Sequence, residues 1–273
     1  MAIKDIVVAL APRDGADPAR DYALAMANAH KAHLTATAYP IVADVPGSVF
    51  PAFAAGLVQN FQHEAEASVQ TARERFEQAA RTAGVAYSFH GASALLNAAT
   101  TDFAIRLRTA DVGVLTQYTD DPEHYGDAFL EAALFRSGRP VIIVPKAYAG
   151  KFSTERVLIA WDGGVHAARA VAGAMALLEG ANIEVFTVEE VSKGRDFRGH
   201  TLVDHLRRHG LNAGIAQRSD ADIPAALVKE AELFRASLVV MGGYGHWRFR
   251  ELVFGGATRH MLGRMPVPVL MTH

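Results

Sequence analysis

The chain writes one pattern of apolar runs twice, and this duplication constrains its fold more than any other feature. Ile6-Val7-Val8-Ala9-Leu10, closed by Pro12, Asp14 and Gly15, has the length and β-branched content of a buried strand. An alanine-rich helical stretch follows at 17–29, with Pro18 in its first turn, where a missing N–H costs nothing. His33-Leu34-Thr35-Ala36-Thr37-Ala38-Tyr39 is a second strand, ended by Pro40. The spacing of Leu57, Phe61, Ala65, Val69, Ala72, Phe76 and Ala80 predicts a long amphipathic helix over 56–83. Strands at 85–89, 112–116 and 140–144 then alternate with helices at 94–109 and 129–137. Short β-branched runs alternating with helical stretches mean βαβ units, whose parallel sheet is covered on both faces.

At residue 155 the pattern restarts. Glu155-Arg156-Val157-Leu158-Ile159-Ala160 echoes Lys4-Asp5-Ile6-Val7-Val8-Ala9. Helices are predicted at 167–178, 200–209, 224–235 and 258–262, and strands at 183–188, 213–217, 237–241 and 266–271. Ala9 to Pro140 spans 131 positions and Ala160 to Pro268 spans 108, so the first copy is 23 longer, mostly between Tyr39 and Val85. A surface insertion of this size leaves a core intact, because loop-closure entropy grows slowly with length. The linker falls at 146–154, which divides the chain into domains 1–148 and 153–273.

Composition narrows the partners. With 50% hydrophobic and 21% charged residues the chain has the balance of a folded protein, not a disordered one. A net charge of −2 and the absence of any basic run argue against nucleic acid and anionic membranes as partners. The lack of cysteine excludes disulfides, thiol nucleophiles and thiolate metal sites. No apolar segment approaches the roughly 18–20 residues of a membrane helix. Met1-Ala2-Ile3-Lys4-Asp5 has none of the regions of a signal peptide. The expectation is a cytoplasmic globular protein.

The chemistry concentrates in the second copy. Its fourth strand runs into Met241-Gly242-Gly243-Tyr244-Gly245-His246, and Gly255-Gly256-Ala257-Thr258 opens the last helix. Glycines after a parallel strand let backbone amides approach phosphate oxygens, and a helix start adds unpaired N–H groups and a positive dipole end. Gly242, Gly245 and Gly255 give the spacing Gly-x2-Gly-x9-Gly. On this motif, set between a fourth strand and a Pro-Val-x-Val final strand, the chain resembles the universal stress protein family over essentially its whole length.

The resemblance implies two tandem five-stranded parallel sheets, each of order 3-2-1-4-5 with helices on both faces, the adenine nucleotide alpha hydrolase-like arrangement. It implies an intramolecular pseudo-dimer through the last strands, Val141–Val144 meeting 267–271, and further pairing into a homodimer. It also implies an adenine nucleotide (ATP, ADP or AMP, with Mg2+) as a regulatory ligand of a stress-response protein with a protein partner of unknown identity. The family's first-strand aspartate matches Asp162, its backbone contact to adenine matches Val188, and its phosphate-binding amides match Gly242, Gly245, Gly255, Gly256 and Ala257. Asp162 equally suits a cap for the helix that follows.

One departure concerns the motif's end, where the family has Gly-Ser or Gly-Thr and this chain has Gly256. The lost hydroxyl removes one hydrogen bond worth about 0.5–1.5 kcal/mol. The first copy lacks the signature, with Gln117-Tyr118-Thr119-Asp120-Asp121-Pro122-Glu123 in its place and Ala11 where the aspartate belongs. It is therefore expected to bind no nucleotide. The competing class is an interaction module with a vestigial loop, and a third is a slow ATPase. No nucleophile–base pair or P-loop lysine is legible, so no catalytic residue is assigned. His205 and His209 share a helix face without a third ligand at a recognisable spacing, so no metal site is assigned.

Overall fold

The computed structural model describes residues 2–11, 16–42, 51–117, 125–188, 199–219, 222–243 and 262–273, with backbone alone for 51–58. In chain order the first copy forms β1 (Asp5–Ala9), α1 (Pro18–His30), β2 (His33–Ala38), α2 (Pro51–Ala83), β3 (Tyr87–Gly91), α3 (Leu96–Leu107), β4 (Val112–Thr116), α4 (Gly126–Arg136) and β5 (Val141–Val144). The second forms β6 (Arg156–Ala160), α5 (Val165–Ala174) with a 3-10 turn at Met175–Leu177, β7 (Asn182–Val188), α6 (Gly199–Arg208), β8 (Asn212–Arg218), α7 (Ile223–Leu233), β9 (Leu238–Gly242) and β10 (Val269–Thr272).

The strands lie in one ten-stranded sheet of order β3-β2-β1-β4-β5-β10-β9-β6-β7-β8. Each copy thus has the expected order 3-2-1-4-5, and the two sheets join into one. Every pairing is parallel except the central one, where β5 and β10 run antiparallel with Ile143 opposite Val269, Ile142 opposite Leu270 and Val141 opposite Met271. The join closes two edges whose unpaired amides would otherwise be open to other chains.

Alternation along the strands builds a core on each face. Ile6, Val8, Ile142, Ile159 and Leu270 point to the side covered by α1, α2, α5 and α6. Val7, Ile143, Leu158, Val239 and Val269 point to the side covered by α3, α4 and α7. Each fully buried Val, Ile or Leu contributes about 1.5–3 kcal/mol, and both cores run unbroken across the central join.

Several boundaries depart from the sequence reading. β3 lies two residues later than 85–89, because Gly84 turns with φ +66° and Val85 still packs in the core. α2 starts at Pro51, five residues before the periodic stretch. β10 begins at Val269, since Pro266 and Pro268 have no amide to give to a ladder. Within the expected linker at 146–154, Tyr148 and Phe152 meet the buried ring of Tyr22 on α1 edge-on, at 6.1 and 5.4 Å.

Candidate functional site

β6 and β9 are neighbours whose following connections leave in opposite directions, toward β7 and toward β10. Such a switch point opens a crevice at the carboxyl ends of the strands, where ligands bind in open α/β sheets. Ala160 pairs with Met241 on one side and Phe186 on the other, so the ends of β9, β6 and β7 form one continuous edge. Gly242, Asp162 and Val188 lie along it, in that order.

From Ala160 the chain turns through Gly163, whose φ of +72° favours glycine, and enters α5. Asp162 is exposed, and its Oδ1 accepts from the Gly164 amide at 2.8 Å. The N-cap of α5 is Gly164, with no side-chain cap, so the reading of Asp162 as the cap is not met. An exposed carboxylate therefore stands beside a helix start whose N-cap residue makes no side-chain cap bond. Val188 ends β7, buried, with its register partner Arg218 on β8.

Gly242 has a packing reason to be glycine. A Cβ there would come within 2.5 Å of the Ala167 nitrogen and 2.6 Å of the His166 carbonyl carbon, so the first turn of α5 rests directly on the strand end. The Gly243 amide donates to the Thr272 carbonyl at 2.7 Å, tying the start of the glycine loop to β10. Gly245, Gly255, Gly256 and Ala257 lie outside the described residues, as does most of the predicted helix at 258–262.

Two histidines that the sequence reading did not single out border this edge. The rings of His166 and His273 lie 4.5 Å apart, and His166 Nδ1 is buried without a hydrogen-bond partner. Burial, and secondarily the Arg169 charge, hold His166 below its ordinary pKa, with Asp162 pulling the other way. Burial, then His166 and Arg169, hold His273 down in the same direction. The position of His166, four residues after Asp162, was the available signal for it.

At the corresponding edge of the first copy, the described groups Asp17 and Tyr39 are engaged with the protein's own residues. Asp17 is buried, with Oδ1 accepting from the Arg20 amide at 3.0 Å and Oδ2 from the Ala11 amide at 2.9 Å. Thr37 pairs with Ala9 as Phe186 pairs with Ala160, so Tyr39 takes the position of Val188. The Tyr39 ring stacks on Phe129 at 5.7 Å, and its hydroxyl donates to Asp102 at 2.6 Å. Arg106 donates to the same carboxylate at 2.8 Å and meets His90 at 2.8 Å. Desolvation would raise the Asp102 pKa, but hydrogen bonds from Arg106 and Tyr39 bring it below the usual carboxylate value. By the same register Thr116 stands in place of Gly242, and Gln117 in place of Gly243. The Gln117 side chain donates to the Leu262 carbonyl and accepts from the Lys146 amide, so it ties the copies together.

A universal stress protein from Archaeoglobus fulgidus superposes on this architecture with a TM-score of 0.73, over 98% of this chain and 95% of its own, at 15% identity. The chain has the universal stress protein fold. A functionally unknown protein from Pseudomonas aeruginosa shares it with a TM-score of 0.63, over 99% of this chain and 92% of its own, at 16% identity. No family model and no curated protein matches the sequence. Within the universal stress protein fold, Asp162, Val188 and Gly242 come together at one edge, and Tyr39 and Thr116 stand at the positions of Val188 and Gly242 in the first copy. Among the described residues no helix is long and apolar enough to cross a membrane, and no group of three acidic or histidine side chains is arranged to hold a metal.

Proposed function

We propose that the chain is a tandem universal stress protein whose domain at 153–273 binds an adenine nucleotide as a regulatory ligand, while the domain at 1–148 is a structural partner. The observation that carries this reading is the contrast at the switch point. In the second copy Asp162 is exposed beside an α5 start without a side-chain cap; in the first, Asp17 is buried and bonded to the Ala11 and Arg20 amides, and Tyr39 is bonded to Asp102. Asp162 would face the adenosine and the Val188 backbone the adenine. The amides of Gly242, Gly245, Gly255, Gly256 and Ala257 would take the phosphates, with Mg2+ as their counterion. Binding would act by population shift, favouring one state of the domain pair over another in a cytoplasmic stress response. The central β5–β10 pairing supports treating the two copies as a pseudo-dimer within one chain, leaving the rest of the surface for a second chain or a protein partner.

A second reading is favoured by one specific observation. Gly242 is required by α5 whether or not a phosphate binds, and Gly256 replaces the motif hydroxyl, so the loop also suits an interaction module that has lost its ligand. Slow ATP hydrolysis is the third reading, since no nucleophile–base arrangement is legible in the sequence.

Thermal unfolding with millimolar ATP, ADP and AMP plus magnesium separates these readings. A ligand at a hundred times its dissociation constant raises stability by about 2.7 kcal/mol, several degrees in midpoint. The expected result is a shift that a Gly245→Asp variant loses. Unchanged midpoints with all three nucleotides would overturn the nucleotide reading in favour of the interaction module.

A further inference from the structure

His273, which follows β10, brings the two copies to one point. Its ring lies 4.3 Å from Phe135, in the last turn of α4, and 4.5 Å from His166, in the first turn of α5. Phe135 belongs to the first copy; His166 and His273 belong to the second. The stack is anchored at its centre, because the Gly243 amide holds the Thr272 carbonyl just before His273. It is anchored at its inner end as well, because α5 rests its backbone on Gly242 next to His166. Phe135 remains 37% exposed, so its ring is not part of the deep core, and its ring neighbour is His273. The charged groups acting on the two histidines are Asp162 from the preceding turn and Arg169 from α5.

We infer that Phe135 is a positioning residue for the candidate site of the second copy: by holding His273 against His166 it steadies the first turn of α5, and so links occupancy at Asp162 and Gly242 to the packing of α4. The identity of the ligand rests on the nucleotide reading above; the mechanical link does not. A ligand that touches Asp162 or the first amides of α5 restricts the same turn that the ring stack restricts. Whatever orders that turn at one end lowers the cost of ordering it from the other, and such coupling is reciprocal. Ring contacts of this kind shift an equilibrium by about two- to tenfold.

Hydrogen exchange on the full chain tests the link, with and without ATP and magnesium, in the native protein and in Phe135→Ala, Phe135→Tyr and His166→Ala. ATP is expected to slow exchange in the last turn of α4 at least threefold in the native protein and in Phe135→Tyr, which keeps the ring, but not in Phe135→Ala. Phe135→Ala should also bind ATP two- to tenfold more weakly. Without ligand, His166→Ala should speed exchange in α4 while leaving α3 unchanged. If ATP binds the native protein and Phe135→Ala equally, and α4 exchange never moves, the link is overturned and the nucleotide reading stands. If ATP does not bind the native protein, the nucleotide reading falls, and His166→Ala alone decides: faster α4 exchange upholds the link, and unchanged exchange overturns it.

Discussion

Gly242 lies beneath the amide of Ala167, with 2.5 Å between the Ala167 nitrogen and the place where a Cβ would stand. The neighbour is helix backbone, which cannot rotate away, so Gly242→Ala must push α5 off the strand end. Overpacking of this kind costs about 1–3 kcal/mol. Urea unfolding without any ligand should show the loss, separating the packing role of Gly242 from a phosphate role.

Acid should weaken the protein through His166 and His273. Both are held below the ordinary value of 6.5, so the native state takes up fewer protons than the unfolded state as pH falls. Their contribution is intact above about 6.5 and is lost as pH drops through the lowered native values. Unfolding midpoints measured from pH 8 to pH 5 should fall in the native protein and flatten in a His166→Asn, His273→Asn double variant.

Glu184 on β7 should act in the opposite direction. Its Oε1 is buried without a partner, and desolvation, then the charge of Glu230, holds its carboxyl above the usual range. Arg218 donates to Glu230 at 2.8 Å. A raised carboxyl contributes fully below its ordinary value of 4.5 and loses that contribution as pH rises through the native value. Glu184→Gln is therefore expected to gain stability relative to the native protein at pH 7.5, with the difference shrinking toward pH 4.

On the nucleotide reading, one site per chain is expected, since the first copy has Tyr39, stacked on Phe129 and bonded to Asp102, at the position of Val188. Calorimetric titration giving two sites would contradict the assignment of the first copy as a structural partner. Asp102→Ala, which strands the Tyr39 hydroxyl and Arg106, should cost about 1 kcal/mol, the low end for a partly exposed site.

The central join should make the copies unfold together. Ile142, fully buried opposite Leu270, belongs to a core that runs through both copies. Ile142→Ala is expected to cost about 2–5 kcal/mol and to preserve a single transition. Two separate transitions in the native protein would contradict the shared core.

The sequence by itself determined the duplication, the alternation of strands and helices, and the place of the glycine motif after a fourth strand. These are local properties: apolar runs such as Val157–Ile159 and helical spacings such as Ala65–Val69–Ala72–Phe76 carry their meaning over a few residues. It also located Asp162, Val188 and Gly242, though not what surrounds them. Only the tertiary structure decided that Asp17 is buried and spent on two amides while Asp162 is exposed, because burial depends on which elements exclude water. Nor does spacing reveal that Phe135 and His273, far apart in the chain, stack beside His166. The antiparallel meeting of β5 and β10 is likewise a contact between distant segments, and it alone turns two sheets into one. Local pattern specifies the elements; the loop-closure and packing energies that bring distant elements together exist only in the folded chain.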